Sequence, residues 1–413
     1  MIQNERKRMW LYALTGMMLT LTTTGFARMS YGVLMPYMQE ELQLTHAQAG
    51  LLGTFISLGY LFMVIAAGIF ASRLGQKRVI VIGAFLVTLS LFGFSLVPAF
   101  GWAITNSILA GVGSAMAFVP LVSYMVAAFP QKRGFVLGLL LSGSGIAMLI
   151  SGFIVPIQGA LFNNFSWRFS WLIFAIISTL VTFFAAFILK EPKLAGEGEP
   201  AIGQKIHIVS VQKVTYQNKE VMKIALLYFS VGVAYLIPIL FQTGYMLYVG
   251  IPSYLASITF AVAGLFGIIG GPILGGGSDW LGRRTTLIIA LCLAIIGTLL
   301  PVFWPSTFIF LLSATLLGLL TGSLMVLIQA AVSEQVKTHQ LPIAVGFITF
   351  FFATGQLIGP GLGGWLIEIG DHFSSAYLFS SFLYFIGLGI CISIKFSEDD
   401  RKVQEKNVAG ACP

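Results

Sequence analysis

Charge is scarce in this chain of 413 residues. Only 9% of its residues are Asp, Glu, Lys or Arg, against about 25% in an average soluble domain. So little charge cannot cover a water-facing surface, which excludes a soluble globule. Cysteine is almost absent as well. Cys292 and Cys391 lie in apolar runs and Cys412 in the tail, without metal-ligand spacing, so no disulfide framework, redox centre or metal site is expected. No Gly-x4-Gly-Lys-[Ser/Thr] loop occurs, so nucleotide-driven pumping has no support. The chain is expected to need no cofactor and not to be an enzyme.

What replaces charge is apolar length. Hydrophobic residues make up 57%, the mean hydropathy is +0.92, and there are 35 Phe and 46 Gly. A membrane β-barrel would show short segments of alternating polarity, whereas these apolar runs are long enough for helices to cross a bilayer. Twelve are read: 9–37, 47–71, 78–98, 101–128, 134–157, 168–189, 222–249, 253–277, 285–304, 306–333, 341–367 and 375–395. The first is too long for a cleavable leader. The hydrophilic insert from Lys190 to Lys223 divides them six and six. The expected organisation is a six-helix bundle over 1–190, a cytoplasmic linker over 191–222, a second six-helix bundle over 223–396 and a cytoplasmic tail over 397–413.

The distribution of the basic residues orients the chain. With the N-terminus in the cytoplasm, 21 of the 23 Lys and Arg fall on the cytoplasmic side; Arg168 lies outside and Arg28 inside the membrane. Cytoplasmic loops carry the excess of Lys and Arg, so both termini are expected there, in a cell (plasma or inner) membrane. The net charge of +8 then reflects topology and attraction to anionic lipid. A nucleic-acid partner is not needed to explain it.

The two halves repeat. "GIFASRLGQKR", from Gly68 to Arg78, ends the second run, and "GGGSDWLGRR", from Gly275 to Arg284, ends the eighth. Both read Gly-x3-[Ser/Asp]-x2-Gly followed by basic residues, and their first glycines are 207 positions apart. "GFAR" at Gly25 and "GVAY" at Gly232 share that offset. Two features at one offset indicate a duplicated six-helix unit.

With these features the chain resembles the major facilitator superfamily over its whole length. That resemblance implies an all-α membrane fold of twelve transmembrane helices in two pseudo-symmetric six-helix bundles. It also implies a gating role for the loop motif: Gly68, Arg73, Gly75 and Arg78 in the first copy, Asp279, Gly282, Arg283 and Arg284 in the second. Asp279 and the arginines would cap and bridge helix ends; Ser72 stands where the first copy usually has Asp. "MPYMQEELQLTHAQAGLL", after the first run, is similar to the organic-anion branch, the anion:cation symporters. "FPQKRGFVLGLLLSGSG" is similar to the start of span five in monocarboxylate carriers. Where the organic-anion branch has Asp-Arg in span one, this chain has Ala27-Arg28.

Arg28 is the residue that needs explaining. No Lys, Asp, Glu or His lies between Trp10 and Gln39. An arginine near mid-membrane costs from about 3 to more than about 10 kcal/mol, depending on its access to water. All fifteen carboxylates fall at helix ends, in loops or in tails. An arriving anion would supply the missing counter-charge, and guanidinium binds carboxylate bidentately. The plainer reading has Arg28 snorkelling to the headgroups. Gly25, Arg28, Tyr31, Gly32 and Met35 share one helical face at regular spacing, which favours a cavity lining.

Tyr31, Tyr60, Tyr235, Gln242, Gln329 and Gln356 are the candidate co-lining residues, each of which could instead make an ordinary helix–helix hydrogen bond. Tyr235 stands at the repeat position of Arg28. The expected function is a secondary transporter, working as a monomer, that moves a small organic anion of monocarboxylate type, with protons as possible partners, by symport or antiport. One alternative is a multidrug exporter, suggested by the aromatic, acid-poor interior and by the glycines around Pro360, which resemble a drug-antiporter pattern. A nontransporting receptor on the same fold is the other.

Overall fold

The structure, a computed structural model, describes residues 2–129, 133–162, 166–190, 218–336 and 341–395. Eleven single helices among them are long and apolar enough to cross a membrane. The first crossing is composite: α-helix Ile2–Thr20, π-helix Leu21–Met29 and α-helix Tyr31–Glu41. Spans two to six follow as His46–Leu74, Gln76–Ser95, Phe100–Ala128, Arg133–Phe162 and Trp167–Ile188. Spans seven to twelve are Lys219–Tyr248, Ser253–Leu281, Arg283–Phe303, Thr307–Gln335, Leu341–Gly370 and Phe373–Ser393. Span seven therefore takes the last four residues of the expected 191–222 linker. The remainder of that linker and the 397–413 tail lie outside the described residues.

Local chemistry sets the helix ends. Thr45 and Gln48 form a reciprocal capping box that opens span two. Asn218 accepts from the amides of Glu220 and Val221 and opens span seven. Spans two and eight stop at glycines held at φ 93° and 83°, with ψ 144° in both. A side chain is strained in that conformation. Gly75 and Gly282 are 207 positions apart, so the repeat extends to backbone angles.

The packing repeats at the same offset. A Cβ on Gly111 would run into the carbonyl of Ile56, and one on Gly318 into that of Ala263. Ser90 Oγ donates to the Asn106 carbonyl at 2.8 Å, as Ser313 Oγ does to the Gly297 carbonyl at 2.5 Å. In lipid, helices associate through such close approach and hydrogen bonding, because apolar side chains gain little by leaving acyl chains for one another. Pairings two–four, three–four, three–six and one–five build the first half. Eight–ten, nine–ten, nine–twelve and seven–eleven build the second.

The halves meet along spans two and eleven, five and eight, and one and seven. Their close approaches crowd toward one face. Gly50 abuts Pro360, Gly364 abuts His46, Gly32 abuts Ile239, and Gly152 abuts Ser257 and Ala261. Further along the same helices, Gly68, Gly138, Gly271, Gly277 and Gly346 would each meet nothing within 4 Å. Among the described residues the halves are therefore sealed at the face carrying the 42–45 and 249–252 turns. They part at the face carrying Gly75 and Gly282.

Arg168 belongs to the sealed face. Its Nε and Nη2 donate to Glu41 Oε1 at 3.1 and 2.9 Å, and its Nη1 donates to the Val97 carbonyl at 2.6 Å. This one guanidinium ties the ends of spans one, three and six.

Candidate functional site

Span one reaches its arginine through a widened turn. Ser30 N–H donates to the Gly25 carbonyl, five residues back, at 3.0 Å. Such turns are rare and concentrate at functional sites. Neighbours lock this one in place. Phe26 stacks on Phe174 at 4.1 Å, Ser114 Oγ donates to the Thr23 carbonyl, and Gly25 lies against Ala147 of span five. Ser30 and Ser151 share a 2.5 Å hydrogen bond.

The extra residue in the turn also breaks the single face expected for Gly25, Arg28, Tyr31, Gly32 and Met35. Gly25 faces span five, whereas Gly32 lies against the Ile239 and Leu240 backbone of span seven. Tyr31 is 1% exposed and its hydroxyl donates to the Ala49 carbonyl at 2.8 Å, which ties span one to span two. The regular spacing assumed 3.6 residues per turn, and the π segment has more.

Arg28 is 9% exposed. Its Nη2 donates to Gln356 Oε1 of span eleven at 3.2 Å, and its guanidinium carbon lies 4.5 Å from the centre of the Tyr60 ring. Gln356 Nε2 donates in turn to the Tyr235 hydroxyl of span seven. Four candidates from spans one, two, seven and eleven thus converge, and the Arg28–Gln356 bond crosses between the halves. No carboxylate meets Arg28 among the described residues. A hydrogen bond to a charged group contributes about 1.5–3 kcal/mol, and a desolvated cation–π contact about 2. Together they offset burial only near the lower end of its cost. The guanidinium therefore keeps a large unmet demand for negative charge.

The other candidates lie elsewhere. Gln242 Nε2 donates to the Phe310 carbonyl at 3.4 Å, between spans seven and ten. Gln329 Nε2 reaches the Tyr228 hydroxyl at 3.5 Å. Tyr228 stacks on Phe352 at 4.2 Å and Phe352 on Tyr235 at 5.5 Å, so Gln329 stands at the far end of an aromatic column. Phe352, Tyr228 and Tyr384 were not among the candidates. A usable signal existed for two of them: Phe352 precedes Gln356 by one helical turn and Tyr228 precedes Tyr235 by two. Tyr235, Phe352 and Tyr384 line a pocket with Pro238, Leu320 and Met325.

At the open face, Arg73 and Arg78 are exposed beside Gly75, and Gly68 is exposed two turns earlier. In the second copy, Arg283 pairs with Glu334 at 2.7 Å, and Arg284 Nη2 donates to the Ile392 carbonyl at 3.0 Å. These bonds join the ends of spans nine, ten and twelve within one half. The Asp279 side chain lies outside the described residues.

Two repeated bundles sealed at one face, with a buried polar cluster where they meet, are the build of a membrane transporter. The Major Facilitator Superfamily matches residues 17–300 and 278–411, and the chain belongs to that family of transporters. It is 25% identical over 379 residues to the hexuronate transporter of Bacillus subtilis (strain 168), covering 85% of this chain and 86% of that one. It is 22% identical over 400 residues to monocarboxylate transporter 13 of Rattus norvegicus, covering 93% and 88%. Among solved structures it is similar to the nucleoside transporter NupG, with a TM-score of 0.73 at 15% identity, covering 94% of this chain and 98% of that one. It is also similar to a bacterial homologue of the human lysosomal transporter Spinster in an inward-facing, unoccupied conformation, with a TM-score of 0.67 at 17% identity, covering 95% and 98%.

Proposed function

We propose that this transporter moves a small organic monoanion with a single carboxylate. The observation that carries the reading is Arg28: buried where the halves meet, with only neutral described partners, Gln356 and the Tyr60 ring. A lone guanidinium suits one carboxylate, bound through its two-pronged face. The names of the two relatives, hexuronate and monocarboxylate transporters, share that group. The aromatic surroundings suit an apolar body attached to it. With the basic loops in the cytoplasm, the open face is the cytoplasmic one and the sealed face the external one. With no carboxylate near Arg28 among the described residues, coupling falls to the substrate. The anion moves with a proton or in exchange for another anion, in a monomeric carrier of the cell membrane.

The test is uptake of a panel of labelled monocarboxylates into proteoliposomes of purified protein. Saturable uptake that unlabelled monocarboxylates inhibit is expected, and the Arg28→Ala carrier should lose it. Failure to move any monocarboxylate, together with raised drug resistance in an overexpressing strain, would transfer the function to the exporter reading.

A further inference from the structure

Gln356 faces Arg28 from the opposite half. Its side-chain oxygen sits 3.2 Å from Arg28 Nη2, and its nitrogen is spent on the Tyr235 hydroxyl. A carboxamide has the planar shape of a carboxylate but no charge. Its orientation here is fixed by chemistry: the oxygen must face the guanidinium, which has only donors, and the nitrogen then faces the phenol oxygen. Gln356 is 5% exposed and Tyr235 is also 5% exposed, so water cannot easily take over either bond.

Position in the repeat makes the arrangement more than a stray hydrogen bond. Arg28 and Tyr235 are repeat mates, 207 positions apart, on the two spans that face each other across the pseudo-symmetry axis. Gln356 joins them from span eleven. The link therefore runs from the first half, through one amide, to the second half. An alternating-access carrier must pass through a closed state both loaded and empty, unless it only exchanges. Loaded, Arg28 has its anion. Empty, the closed state would strand a cation between the halves, and a group on the opposite half must then satisfy it.

Building on the anion reading above, we propose that Gln356 is the resident stand-in for the substrate carboxylate. It holds Arg28 when the site is empty and lets the empty carrier close and return. It gives up the guanidinium when the anion binds. Gln356 is a positioning residue for the empty half of the cycle, and the arrangement makes this chain a carrier capable of net transport.

The experiment compares two flows in proteoliposomes of purified protein, with a labelled monocarboxylate that the unaltered carrier transports. One is net uptake into empty vesicles. The other is exchange into vesicles preloaded with the same anion. Gln356→Leu keeps similar bulk but accepts no hydrogen bond. The ratio of net uptake to exchange should fall at least tenfold in this variant. Its affinity for the anion, measured in detergent, should rise severalfold because a competitor has been removed. Gln356→Glu supplies a permanent carboxylate and should weaken anion binding by more than tenfold while raising the thermal midpoint. Equal loss of both flows, or weaker binding by the leucine variant, would overturn the proposal. A carrier that moves no monocarboxylate at all would remove the anion reading first and this one with it. Normal uptake with an unchanged flow ratio would sink this one alone.

Discussion

In the proposed anion site a single guanidinium would meet the substrate, and two partners act on it by different physics. Gln356 offers a directed oxygen, and Tyr60 offers a ring face. Arg28→Ala should weaken monocarboxylate binding well over tenfold, since truncating one member of a desolvated charged pair costs about 2–5 kcal/mol. Arg28→Lys restores charge without the fork and should recover only part of that loss. Affinity in detergent beside a thermal melt checks both, and unchanged affinity in the alanine variant would return Arg28 to a snorkelling role. Tyr60→Phe keeps the ring face and should bind anion within about twofold of the unaltered protein, because cation–π attraction resides in the ring. Tyr60→Leu removes it and should depress the thermal midpoint of the empty carrier. A leucine variant as stable as the phenylalanine variant would show that the stacking contributes nothing. Arg28 was legible in the sequence because a charge in an apolar run is conspicuous. Its partners were legible only as polar residues scattered over other spans. Tyr60 and Gln356 meet it and Tyr235 joins through Gln356, whereas Gln242 turns to a backbone carbonyl, and composition does not distinguish these fates.

Elements were easier to read than faces. Twelve apolar runs and the motif at Gly75 and Gly282 locate the helices and their turns, because glycine at positive φ leaves a signal in the sequence. The π segment left none. Its cause is tertiary, the packing of Phe26 on Phe174 and of Gly25 on Ala147, and it moved Tyr31 out of the expected lining. Gly282→Ala should lower the thermal midpoint, since a side chain at φ 83° costs about 1–3 kcal/mol. Gly271→Ala, in a helix with open space around its Cβ, should leave the midpoint unchanged or raise it. Equal midpoints for the two would remove the strain argument. A second element-scale link crosses the sealed face: Glu368 at the end of span eleven accepts the Ala47 amide at 2.9 Å, at the start of span two. The carboxylate both satisfies an open amide and meets the positive end of that helix. Glu368→Ala should favour opening of that face, read as faster labelling of a cysteine that replaces the buried Leu240. Unaltered labelling would mean that the glycine contacts alone hold the seal.

At the scale of the whole molecule, the duplication explains why the halves meet along two matching seams that part and close together. Spans two and eleven, and five and eight, are symmetry-related pairs, so a rocking motion that parts them at one end brings them together at the other. The structure is sealed where Gly50, Gly152 and Gly364 allow backbones to touch, and it is open toward Gly75 and Gly282. Which compartment the opening faces is argued from charge: the reading that puts 21 of 23 basic residues in the cytoplasm puts the Gly75 and Gly282 turns there too. In a background without Cys292, Cys391 and Cys412, a cysteine at Gly346 should react with a membrane-impermeant thiol reagent in inside-out vesicles and stay unlabelled in intact cells. Ser306, exposed in the turn between spans nine and ten at the opposite face, should show the reverse when replaced by cysteine. Adding the transported anion should slow labelling at position 346, because a neutralised Arg28 lets the halves close around it. Labelling of position 346 from outside intact cells would invert the orientation. Labelling from inside that the anion does not alter would leave the topology standing and separate Arg28 from the motion.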